Sequence, residues 1–135
     1  MIEMETMESF VERNQITANV VETDKNPNMM DKDWEARHYK VILRRNGKQM
    51  TVIFSVGMGW ETEPNVCDVL SCLASDVTGY EEAKDFEEWC DEYGYDTDSR
   101  KAEKAYNVIG KQKAKLVNFL GTVLYNELLW GTEVE

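Results

Sequence analysis

The sequence predicts an α+β fold: a three-stranded antiparallel meander with about three to five helices packed on or beside one face. Three observations carry this. Asn46-Gly47 separates two alternating stretches, Arg37 to Arg45 and Lys48 to Val56, which is the pattern of a two-residue hairpin because both turn residues tolerate positive φ. Ile16-Thr17-Ala18-Asn19-Val20-Val21-Glu22 alternates in the same way and reads as a preceding half-buried strand, Ile16 to Thr23. After Glu63 the apolar residues recur every three or four positions, the period of helices buried on one side.

Taken in order, residues 3–14 place Met7, Phe10 and Val11 at helical spacing, with acids in the first turn where the helix dipole favours them. Residues 24–33, containing Asn26-Pro27-Asn28, read as a loop. Counting outward from the hairpin turn pairs Leu43 with Met50, Val41 with Val52 and Tyr39 with Phe54 on an apolar face. The other face pairs Arg44 with Gln49, Ile42 with Thr51, Lys40 with Ile53 and His38 with Ser55, and is mixed and basic. A slip of one residue would turn Lys40 and Arg44 into the core, so the register is strongly specified.

Gly57-Met58-Gly59-Trp60 reads as a flexible exit from the hairpin; a phosphate loop would need a further glycine and a lysine that are missing. Pro64 suits the first position of a helix over 64–77, whose stripe is Val66, Leu70, Leu73 and Val77, widened by Val69 and Ala74, and Gly79 marks its end. A second helix over 80–93 carries Ala83, Phe86, Trp89, Cys90 and Tyr93 on one side and acids elsewhere, with Gly94 as the left-handed residue past its end. The third runs from Ser99 to Leu120, capped by Asp98 or Ser99. It buries Ala102, Tyr106, Ile109, Leu116, Val117 and Leu120 and exposes Arg100, Lys101, Lys104, Lys111, Lys113 and Lys115. Gly110 marks a weak point or a close approach in it, Gly121 closes it, and Thr122 caps a terminal helix through Leu129 and Trp130.

The 135 residues suit one domain, 1–135, with the sheet over 16–57 and the helical part over 63–130. Four Trp, six Tyr and four Phe supply enough apolar area to offset the entropy of ordering the chain. There is no run of about 18 apolar residues, and Met alternates with Glu at the N-terminus where a signal peptide needs a basic start. A cytoplasmic location with no membrane contact is the expectation. Cys67, Cys72 and Cys90 are an odd set, read as buried structural thiols in a reducing compartment. With His38 they could supply four zinc ligands, but Cys67 and Cys72 point to different sides of one helix and no C-x-x-C is present. Asp96-Thr97-Asp98-Ser99 begins like a calcium loop, yet Lys101 and Asn107 stand where that loop needs Gly and Glu. No metal, cofactor or catalytic residue is expected, and the chain does not read as an enzyme.

Charge is arranged in blocks. Residues 61–98 sum to −12, whereas 36–60 and 99–115 sum to +5 each, within a net charge of −11. The hairpin HYKVILRRNGKQMTVIFSVGMG, the helix EPNVCDVLSCLASDV and FEEWCDEYGYDTDSRKAEKAY, ending in KLVNFLG, together resemble a family of small uncharacterised proteins from bacteriophages and prophages, and the resemblance spans Asn26 to Gly121. It implies a phage genome and action inside a bacterial cell, and carries over no functional residue.

The acidic block admits three readings: a solvated face, a docking surface that imitates nucleic-acid phosphates, or a partner for the protein's own lysines. Glu81, Asp85, Glu88 and Glu92 would advance by about 5–6 Å per turn along a single helix, comparable to phosphate spacing. Asp91 and Glu92 sit in a last turn, where the dipole disfavours anions, and Lys84 is the one interspersed cation. The candidate partner-binding residues are therefore Glu81, Glu82, Asp85, Glu88, Asp91, Glu92, Asp96 and Asp98, and the expected partner is a host bacterial protein with a basic groove. An alternative set, Lys40, Arg44, Arg45 and Lys48, would bind nucleic acid along the hairpin, although Tyr39 and Phe54 belong to the apolar face and are not free to stack. A structural or oligomeric phage component, joined through the long helix and Leu128-Leu129-Trp130, is a further alternative.

Overall fold

The computed structural model describes residues 4–25, 37–56 and 63–132. Its elements are α1 (Met7–Arg13), β1 (Thr17–Lys25), β2 (Arg37–Arg45), β3 (Lys48–Val56), α2 (Val66–Glu82), α3 (Phe86–Tyr93), α4 (Arg100–Leu120) and α5 (Thr122–Trp130). The sheet is antiparallel in the order β1-β2-β3, so the fold is α+β as the sequence predicts. The Asn26-Pro27-Asn28 loop and the Gly57 to Trp60 exit lie outside the described residues. Two compact units divide the chain, Met7–Leu70 and Ser71–Glu135 with Met1–Thr6, and the boundary falls inside α2.

In the first unit, α1 closes with Gln15 in the left-handed region at φ 53°. The Gln15 N–H donates to the Glu12 carbonyl at 3.2 Å and the Ile16 N–H to the Val11 carbonyl at 3.1 Å, a Schellman closure built without glycine. Asn46 and Gly47 take φ of 48° and 77°, both positive as the two-residue turn requires. Every hairpin pair read from the sequence is found, from Arg44 opposite Gln49 to His38 opposite Ser55. A bulge at Val21 interrupts the β1 register, so Val20 faces Val41 while Glu22 faces Lys40, and Val21 turns outward. Tyr39, Val41, Leu43, Met50 and Val52 are buried on one face of the hairpin, while Ile53 on the other is 58% exposed.

The start of α2 differs from the predicted Pro64. Asn65 Oδ1 accepts from the Asp68 N–H and Asp68 Oδ2 accepts from the Asn65 N–H, both at 2.9 Å. This reciprocal capping box fixes Asn65 as the cap and Val66 as the first helical residue.

In the second unit, α2 does not stop at Gly79 but continues to Glu82. Gly79 is a packing residue: a Cβ there would overlap the Tyr93 hydroxyl. The predicted 80–93 helix is accordingly divided. Tyr80 to Glu82 finish α2, Ala83 to Asp85 bend, and α3 starts at Phe86. Gly94 takes φ 74° past the end of α3, and Ser99 Oγ caps α4 by accepting from the Ala102 N–H at 3.2 Å. Gly110 is closely approached, since a Cβ there would lie 3.0 Å from the Tyr80 hydroxyl oxygen. Thr122 is not a cap; Gly121, at φ 82°, ends α4 and precedes α5 without a side-chain cap. Residues 4–6 run beside the end of α5, where the Glu5 N–H donates to the Gly131 carbonyl at 2.9 Å. The buried apolar residues of this unit come from α2 (Leu73, Ala74, Val77), α3 (Trp89, Cys90), α4 (Ala102, Leu116, Phe119, Leu120) and α5 (Tyr125, Leu128, Leu129).

Leu43→Ala is expected to cost about 2–5 kcal/mol in urea unfolding, whereas Ile53→Ala on the open face should stay within about 0.5 kcal/mol. Equal losses at the two positions would contradict this register.

Candidate acidic docking cleft

The acidic stretch is not one helix, so Glu81, Asp85, Glu88 and Glu92 do not form a continuous ladder of charge. Two of these acids serve the fold directly. Glu81, in the last turn of α2, is ion-paired to Lys113 on α4 and accepts from the Tyr125 hydroxyl on α5 at 3.0 Å. The Lys113 hydrogen bond, with help from Tyr125, holds the Glu81 carboxyl below its usual pKa, while burial and the Glu81 charge push the Tyr125 hydroxyl up. Lys113 Nζ also lies 5.9 Å from the centre of the Tyr80 ring. Glu81 thus joins α2, α4 and α5, and a Glu-Lys pair 32 positions apart in sequence is invisible to helical spacing. Asp85 is the α3 cap: extended at φ −156°, it accepts from the Glu88 N–H through Oδ1 at 2.9 Å. Asp96 shapes the turn before α4, its Oδ1 accepting from the Asp98 N–H at 3.2 Å.

The remaining acids divide by position. Glu82 from the end of α2 and Glu88 and Glu92 from α3 line one cleft of about 510 Å³. Its other walls are Ser75, Thr78, Gly79, Ala83 and Tyr93, with Met4, Leu129 and Thr132 from the ends of the chain. No Lys, Arg or His is among the described residues lining it. Glu82, Glu88 and Glu92 form no ion pair among the described residues. The Tyr93 hydroxyl registers the local field: burial against Gly79 raises its pKa first, and Asp76, Glu92 and Glu82 raise it further. Asp91, Asp96 and Asp98 are exposed but do not line the cleft.

Aromatic packing sets where the α3 carboxylates point. Trp89 is 3% exposed, and the Tyr95 ring stacks on it at 5.3 Å and 7°. Tyr106 of α4 meets Trp89 edge-on at 5.3 Å and 62°, and Phe86 meets Tyr106 at 5.1 Å. Such pairs add about 0.5–1.5 kcal/mol each beyond their buried area. Ala102, fully buried beside Trp89 and Cys90, supplies the small residue that lets α3 lie close to α4. Tyr95 was not part of the predicted apolar stripe, because it follows Gly94 and helical periodicity does not reach past a left-handed residue.

The alternative basic set is also divided. Arg44, Arg45 and Lys48 gather at the hairpin turn, while Lys40 sits in mid-strand opposite Ile53 and Glu22. The cysteines depart from the expectation of three buried thiols: Cys90 is buried, Cys67 partly buried and Cys72 exposed. The buried stripe Leu70, Leu73, Ala74 and Val77 leaves position 72 on the outer side of α2. Among the described residues no group of three His, Cys, Asp or Glu side chains could hold a metal ion, and no helix is long and apolar enough to cross a membrane. No protein-family model, curated protein or solved structure matches this chain.

Glu81→Gln should cost about 1 kcal/mol at neutral pH. Because folding lowers the Glu81 pKa from 4.5, the difference from wild type should be full above about pH 4.5 and vanish as pH falls through the lower folded-state value. Urea unfolding at several pH values tests this; a difference that persists unchanged at pH 3 would contradict it. Asp85→Ala should cost about 1 kcal/mol by the same measurement, as loss of a helix cap does.

Proposed function

We propose that this chain is a non-enzymatic phage protein that binds a host bacterial protein, with Glu82, Glu88 and Glu92 as the principal contacts. The observation that carries the reading is their convergence on one cleft with no cation among the described residues that line it. Unpaired carboxylates around a partly apolar recess suit a basic side chain that brings an aliphatic stem with it, as Arg and Lys do. Asp91, Asp96 and Asp98 extend the negative field outward, which steers a basic partner during approach. Inhibition of a bacterial defence or nucleic-acid-handling complex is the role that fits such a partner in a host cell. Mimicry of nucleic acid here operates through charge and not through a row of phosphate-spaced carboxylates.

Glu81 and Asp85 are left out of the test because they brace the fold. The triple variant E82K/E88K/E92K should lose partners captured from a bacterial lysate and eluted from wild type by high salt. Its helical circular dichroism should be unchanged. Capture that survives the triple reversal would overturn the proposal.

A further inference from the structure

We propose that the outer face of α4 is a docking surface for the phosphate backbone of double-stranded DNA, independent of the acidic cleft. Arg100, Lys101, Lys104, Val108, Lys111 and Lys115 are all exposed. At about 3.6 residues per turn they fall within an arc of about 100° and extend about 22 Å along the helix axis. Glu103, the single acid of α4, falls outside this arc, as does Lys113, which pairs with Glu81. Among the described residues none of the five cations in the arc has an ion pair. The result is a straight stripe of one sign, as long as about six phosphates of one DNA strand.

Helix electrostatics do not account for this stripe. Lys101 and Lys104 stand three residues apart and Lys111 and Lys115 four apart, so each pair repels across one helical turn. Arg100 and Lys101 occupy the first turn, where the dipole disfavours cations, and the last turn, where it would favour them, has none. The arrangement weakens the isolated helix, and a partner of opposite charge relieves both effects.

The chemistry of the face selects among anionic partners. Its cations are four lysines and one arginine, and its one apolar side chain is Val108. Interfaces between proteins centre on aromatic residues, Met and Arg and are depleted in Lys, whereas interfaces with DNA are polar and positively charged. A membrane-surface helix would lay its apolar side into lipid, but Ala102, Leu116, Phe119 and Leu120 of α4 are buried in the protein. No aromatic ring stands in the arc for the bases of a single strand to stack on, which leaves a duplex held through its phosphates. The net charge of −11 opposes approach from a distance, but charges farther than about 8 Å are largely screened at physiological salt.

The test is a titration of a labelled DNA duplex, two helical turns long, with the full chain at several salt concentrations, read by fluorescence anisotropy. A dissociation constant of about 10⁻⁴ M or tighter at physiological salt is expected, with log K falling against log salt at a slope of about −4. Lys104→Gln with Lys111→Gln should weaken binding about tenfold and bring the slope to about −2. Helical circular dichroism should be unchanged in that variant, since Gln and Lys have similar helix propensity. Arg44→Gln with Lys48→Gln, on the hairpin, lowers the net charge equally and should leave the affinity within about twofold of wild type, because distant charges are screened. Absence of duplex binding at every salt concentration, or equal loss in the two double variants, would overturn the proposal. Tighter binding of a single strand of the same length would also overturn it, and so would equal binding of poly-glutamate of matched charge, which would assign the face to an acidic protein.

Discussion

The helical unit depends on the approach of Tyr93 to Gly79. Only a residue without a Cβ can accept the phenol hydroxyl against the helix at that point. For Tyr93 to reach it, the chain must turn back after α2, and the bend at Ala83 to Asp85 with the Asp85 cap is that turn. The reversal places Glu88 and Glu92 beside Glu82, and the cleft follows from it. Trp89, locked between Tyr95 and Tyr106, fixes the rotation of α3 that decides which carboxylates point inward.

Electrostatics oppose this arrangement, and packing overcomes it. Asp91 and Glu92 lie in the last turn of α3, where the dipole costs a few tenths to about 1 kcal/mol per anion, and no basic residue stands in that turn. Glu81 also ends a helix, yet there Lys113 supplies the opposite charge. The protein thus neutralises the acid that holds three helices together and leaves those around the cleft without an ion pair among the described residues. That difference separates a carboxylate used for stability from one available to a partner.

The hairpin was legible because strand periodicity has only two phases and Asn-Gly fixes which one applies. Every pair followed from a single turn. The acidic stretch was harder to read for a definite reason: glycine marks a helix end and a tight helix contact with the same letter, and only the distant Tyr93 decides between them at position 79. Asp85 looked like one more exposed acid because no glycine or proline announces the bend. The acidic character of Glu82, Glu88 and Glu92 was plain in the sequence, but their convergence was not. It depends on a chain reversal and on walls from Met4 and Thr132, which local patterning cannot connect. The Glu81 brace was hidden likewise, since its partners lie 32 and 44 positions downstream.

The passage of α2 through both compact units has a further consequence. Its 17 residues begin in one unit and end in the other, with five before the boundary and twelve after it. Helices shorter than about 12–15 residues are marginal on their own in water, so neither portion is a comfortable helix if the other melts. Each portion therefore relies on its buried face, and in the helical unit Leu73, Ala74 and Val77 supply it, which makes these three apolar side chains the condition for the last turns of α2 to exist.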